Sequence, residues 1–79
     1  MLTNDETRCR IAGNVRRLLE ARGYNQADLA RATGDNEVRV SGVIRGVQTP
    51  RADFLARIAE ALDVAVDDLL LPLPKKLSV

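Results

Sequence analysis

Residues 26 to 46 read QADLARATGDNEVRVSGVIRG and divide at Gly34 into two short helical segments. In the first, Asn25 stands where an N-cap belongs, and Leu29 and Ala30 share one inward side of a helix running from Gln26 to Thr33. Gly34 ends it, because glycine adopts the left-handed conformation past a helix C-terminus at little steric cost. Asn36 is placed to cap a second helix, Glu37 to Arg45, on which Val40, Val43 and Ile44 fall at i, i+3 and i+4 and form one apolar stripe. Glu37, Val38, Ser41, Gly42 and Arg45 face away from that stripe, and Gly46 closes the unit.

The flanks extend the helical pattern in both directions. Thr3 and Glu6 have capping-box spacing for a helix that starts near Asn4, with Ile11, Val15, Leu18 and Leu19 as its inward stripe and Ala12 beside it. Gly23 ends this helix and leaves Arg16, Arg17 and Arg22 outside. Tyr24 is placed to fold back on the next helix as a hydrophobic staple. Downstream, Pro50 cannot continue a helix but can begin one, with Thr49 as its N-cap. A fourth helix is therefore expected over about 51–62, burying Phe54 or Leu55 with Ile58, Ala59 and Leu62. Asp63 occupies the place where a glycine usually follows a helix, and a fifth helix near 65–70 buries Val66, Leu69 and Leu70. The reading is an all-α domain over 1–71 and an apolar tail over 72–79, which two prolines make extended.

Composition narrows the function. With 79 residues there is room for one marginally stable domain. The hydrophobic fraction is dominated by Ala, Val and Leu, with one Phe, one Tyr and no Trp, a balance that favours compact helices over a sheet. The single cysteine, Cys9, excludes an intrachain disulfide and is read as a partly exposed helix residue in a reducing compartment. The lack of histidine and of any ligand-spaced cluster leaves no metal site, no cofactor is expected, and no small-molecule ligand is evident. No signal peptide or membrane-spanning run is visible, so a cytoplasmic location with no membrane contact is expected. Without histidine or a glycine-rich phosphate loop, an enzyme is disfavoured. The net charge of +1 conceals a polarised chain: residues 8–57 carry ten arginines against five carboxylates, whereas 58–74 carry four carboxylates and no base.

The spacing Gln26, Leu29-Ala30, Gly34, Ser41, Gly46, continued by Pro50, Leu55, Ile58-Ala59, Leu62 and Leu69, resembles the helix-turn-helix domain of the phage repressor and Cro (XRE-like) family over residues 11 to 70. The resemblance implies a compact five-helix fold in which helices 2 and 3 form the helix-turn-helix. Helix 3 would enter the major groove of double-stranded DNA, reading bases with Asn36, Glu37, Val38, Arg39 and Gly42, while Gln26, Arg45, Thr49 and Arg51 hold phosphates. On that assignment Arg39 suits guanine, Val38 a thymine methyl and Glu37 a cytosine amino group, and Gly42 lets the backbone approach the groove. The chain departs from the family at Asp35 and Glu37, which bring negative charge near phosphates. It departs also at Leu19 and Ile44, which replace a buried Arg–Glu pair and are expected to touch.

Two functions follow. The first is a sequence-specific transcriptional regulator, a repressor acting as a homodimer, with the tail as part of its dimer interface. The second is a protein-interaction module of the same fold, an antitoxin or anti-repressor partner with weak DNA binding, which Asp35, Glu37 and the near-neutral charge favour.

Overall fold

The computed structural model describes residues 4–72. Within them lie five helices and no strand: α1 (Asn4–Arg22), α2 (Gln26–Thr33), α3 (Glu37–Ile44), α4 (Ala52–Ala61) and α5 (Val66–Leu70). Helix α1 packs against α3 and α5, α2 against α3 and α4, and α4 against α5, so the helix-turn-helix is backed by α1 on one side and α4 on the other. None of these helices is long and apolar enough to cross a membrane.

The inward stripes read from the sequence meet in one core. Ile11, Val15, Leu29, Val40, Val43, Ile58, Leu62 and Leu69 are all buried in it, and Phe54 takes the α4 position that the sequence left between Phe54 and Leu55. Leu19 belongs to this core and Ile44 packs against it half-buried, so neither points into solvent and both positions serve as apolar packing. Cys9 is exposed on α1, as expected. The Thr3 cap and the tail beyond residue 72 lie outside the described residues.

Four helices end in the same way, which sets the short loops. After α1, α2, α3 and α4 the chain passes through a positive-φ residue, respectively Gly23, Gly34, Gly46 and Asp63. The following N–H then reaches back five residues: Tyr24 to Leu19, Asp35 to Ala30, Val47 to Gly42 and Val64 to Ala59. Asp63 is the one non-glycine with positive φ among the described residues, at +58°, so the α4 turn keeps the geometry at a steric cost.

The start of α4 corrects the sequence reading. Thr49 is not its N-cap; Arg51 is, in an extended conformation with no side-chain cap, and the helix begins at Ala52. Pro50 stays in the loop, where it can donate no hydrogen bond, and the backbone is still extended at Arg51, which moves the helix start two residues past the proline. Thr49 is left exposed beside α3 and caps nothing.

Candidate nucleic-acid interface

The turn between α2 and α3 presents the start of one helix beside the outer face of the next. At the start of α2, Asn25 and Asp28 cap each other: Asn25 Oδ1 accepts from the Asp28 N–H at 2.8 Å and Asp28 Oδ2 accepts from the Asn25 N–H at 2.9 Å. That box satisfies the backbone locally and leaves Gln26 on the outside, where it lines an open cleft of about 260 Å³ with Glu37, Val38, Ser41 and Arg45. The cleft thus unites two residues expected to hold phosphate, Gln26 and Arg45, with two expected to read bases, Glu37 and Val38. Val38 is 76 % exposed, an apolar side chain presented to the medium from the middle of that face. Ser41 joins them because it lies one turn beyond Glu37 and Val38. Thr49 and Arg51 are exposed on the loop that follows, outside the cleft.

Three of the expected base readers are occupied differently from the sequence reading. Asn36 Oδ1 accepts from the Arg39 N–H at 2.8 Å and caps α3, which commits that side chain to the start of the helix. Gly42 is buried, because Gln48 folds back over it from the loop, so its backbone is not open to a groove. Arg39 is held sideways: its guanidinium pairs with Asp35 at 3.4 Å and lies 5.1 Å from the centre of the Phe54 ring.

Asp35 is likewise not the free negative charge that the sequence suggested. Its side chain is only 7 % exposed, between Arg39 and Arg57, the latter at 3.6 Å, and Oδ1 accepts from the Asn36 N–H at 2.9 Å. Arg57 also lies over the Phe54 ring, at 5.7 Å from its centre. Two guanidinium groups therefore share one aromatic ring, with Asp35 between them and Asp53 3.9 Å from Arg57, and the cluster ties the α2–α3 turn and α3 to α4. Asp53 is one turn away from Arg57; sequence reasoning missed the pairing of Arg57 with Asp35 because that partner is far away in the chain.

The remaining arginines sort by partner. Arg8 pairs with Asp5 and Arg31 with Asp28. Arg16 donates to the Ile44 carbonyl at 2.6 Å, closing the C-terminal end of α3, where the helix dipole favours a cation. Arg17 donates to Asn14 Oδ1 at 3.0 Å, and Arg10 to the Leu70 carbonyl at 3.4 Å. Arg16 and Arg17, left outside in the sequence reading, thus serve the frame. Among the described residues, Arg22, Arg45 and Arg51 are the arginines with no internal partner.

Comparison with known proteins is consistent with this geometry. A family profile described as helix-turn-helix matches residues 15–69. The chain is similar to the crystal structure of a hypothetical transcription factor, NHTF from Neisseria, with 32 % identity and a TM-score of 0.81 over 91 % of this chain and 83 % of that one. It is similar also to the restriction-modification controller protein C.AhdI from Aeromonas hydrophila, with 28 % identity and a TM-score of 0.74 over 85 % of this chain and 98 % of that one. No curated protein matches the chain.

Proposed function

The chain belongs to the repressor- and Cro-type helix-turn-helix family of DNA-binding regulators, and on that premise we propose that it is a sequence-specific repressor that lays α3 in the major groove as one half of a homodimer. The observation that carries this reading is the cleft in which Gln26 and Arg45 flank Glu37, Val38 and Ser41. Gln26 stands at the N-terminus of α2, where backbone N–H groups and the helix dipole attract a phosphate. Arg45 lies at the other end of α3, exposed and unpaired, at the place for a second phosphate. Between these anchors Val38 meets a thymine methyl and Glu37 accepts from a cytosine amino group. Thr49 and Arg51 extend the phosphate contacts along the loop. Repression follows from occupancy of a promoter. Two copies bind half-sites about 34 Å apart, and Leu71, half exposed after α5, is the apolar residue that a partner copy covers.

The alternative, an interaction module with weak DNA contacts, loses one of its supports, because Asp35 is neutralised by Arg39 and Arg57. Selection of bound sequences from a random duplex pool tests the proposal. A two-fold site with one preferred sequence per half is expected; no enrichment, together with no binding to duplex at low salt, overturns it in favour of the module.

A further inference from the structure

The outer face of α3 has a gap that another part of the chain fills. Val38 starts a row along this face, and the next position on it, one turn later, is Gly42. A side chain starting there meets Gln48: a Cβ on Gly42 would stand 2.7 Å from Gln48 Cδ, 2.8 Å from Oε1 and 3.0 Å from Cγ. The Gln48 carboxamide therefore occupies the space in which residue 42 would place its own side chain. The loop holds it there through the backbone, since the Val47 and Gln48 N–H groups both donate to the Gly42 carbonyl, at 3.0 and 3.2 Å. Gln48 is itself exposed, so its carboxamide is presented to whatever meets α3.

We infer that Gln48 is a base-reading residue, supplied from the loop after α3 to the row that Gly42 leaves empty, and that it recognises adenine. A carboxamide offers one donor and one acceptor side by side, the pattern that matches adenine N7 and N6 in the major groove. Gly42 acquires a reason for standing inside a helix: any side chain there displaces the reader. The inference rests on α3 lying in the major groove.

Selection from a random duplex pool is run on the full chain as wild type, Gln48→Ala, Gln48→Glu and Gly42→Ala, with thermal melting of each. Because Gln48 is exposed and a Cβ at Gly42 meets only the far end of its flexible side chain, all four fold. Gln48→Ala is expected to keep the wild-type site except at one A·T pair per half-site, where preference falls about 5- to 150-fold. Gln48→Glu redirects that pair toward cytosine, whose amino group a carboxylate accepts from. Gly42→Ala loses preference at the same pair as Gln48→Ala, because its methyl group pushes the carboxamide aside. A wild-type chain that selects a site, with Gln48→Ala selecting it with unchanged preference or weakened uniformly at every pair, overturns this inference alone. A wild-type chain that selects no sequence overturns the groove-binding reading beneath it as well.

Discussion

Replacing Asp35 by asparagine separates the two tasks of the α2–α3 turn, because it removes one charge and almost no volume. Asp35 pairs with Arg39 and Arg57 from a side chain that is 7 % exposed, but the two arginine side chains are 47 % and 43 % exposed. A fully buried pair that loses one partner costs about 3–5 kcal/mol, since the remaining charge is stranded without water. Here the arginines are half in water and are not stranded, so the scale for exposed pairs governs, up to about 1 kcal/mol each. The asparagine oxygen keeps the bond from the Asn36 N–H, 2.9 Å in the wild type. The net loss is therefore about 1–2 kcal/mol, against a total stability of about 4–12 kcal/mol for a chain of this size. It should lower the melting temperature by about 4–16 °C.

DNA binding moves in the opposite direction. Asp35→Asn removes a negative charge beside the interface and releases Arg39 for a phosphate, which steepens the salt dependence by about 0.9, while Arg57 keeps Asp53 at 3.9 Å. The variant should thus bind random duplex more tightly at low salt while being less stable. Circular dichroism melting and fluorescence anisotropy on random duplex at several salt concentrations measure the two effects. A double-mutant cycle with Arg57→Ala should show a coupling of about 0.5–1 kcal/mol. An unchanged melting temperature together with an unchanged salt slope refutes the argument that Asp35 restrains these arginines.

The other predictions concern single features of the frame and the interface. Arg22, Arg45 and Arg51 are unpaired, so two or three phosphate contacts per copy are expected and a salt slope of about −2 to −3 per copy, which Arg45→Ala makes shallower by about 1; a slope near −9 would mean that all ten arginines before residue 58 meet phosphate. Asn14 is fully buried and donates to the Leu69 and Leu71 carbonyls at 3.0 and 2.9 Å, so Asn14→Asp sets a carboxylate against two carbonyl oxygens and should cost about 3 kcal/mol, seen as a lower urea midpoint. Asp63→Gly removes the steric cost of φ +58° and should raise stability by about 0.5–1 kcal/mol in the same assay, with DNA affinity unchanged.

The legible parts of the sequence are those whose cause is local. A left-handed turn needs glycine or a tolerant aspartate, so Gly23, Gly34, Gly46 and Asp63 each marked a helix end, and an apolar period near 3.6 marked Val40 and Val43 as core. The cleft was legible as far as it depends on that frame: Gln26, Glu37, Val38 and Arg45 line it together because helical geometry puts them there. What escaped was set by distant partners. No local rule joins Asp35 to Arg57, Arg16 to the Ile44 carbonyl or Asn14 to the end of α5. Thr49 failed although the local rules there agree. A threonine before proline has the pattern of an N-cap for a helix that starts at the proline, but the backbone is still extended at Arg51, so the helix starts two residues later than that pattern implies.

Arginine content on its own is a poor guide to where positive charge is free in this chain. The same planar, permanently charged fork that suits a phosphate also suits a carboxylate, a helix-end carbonyl and an aromatic face, and the fold uses it for each of these. Seven of the ten arginines in residues 8–57 have partners within the protein, which holds α3 in place from three directions: Arg16 from α1, Arg57 from α4 and Arg39 from α3 itself. The charge left for a partner is therefore small and localised. Arg45 and Arg51 bracket the loop that also carries Gln48 and Thr49, and Gln26 adds a neutral donor across the cleft. On the proposed groove-binding reading, a surface of that kind gains little from long-range attraction and depends on fitting its anchors to phosphates at fixed spacing, so discrimination between sequences would fall on the short row formed by Glu37, Val38 and the carboxamide over Gly42.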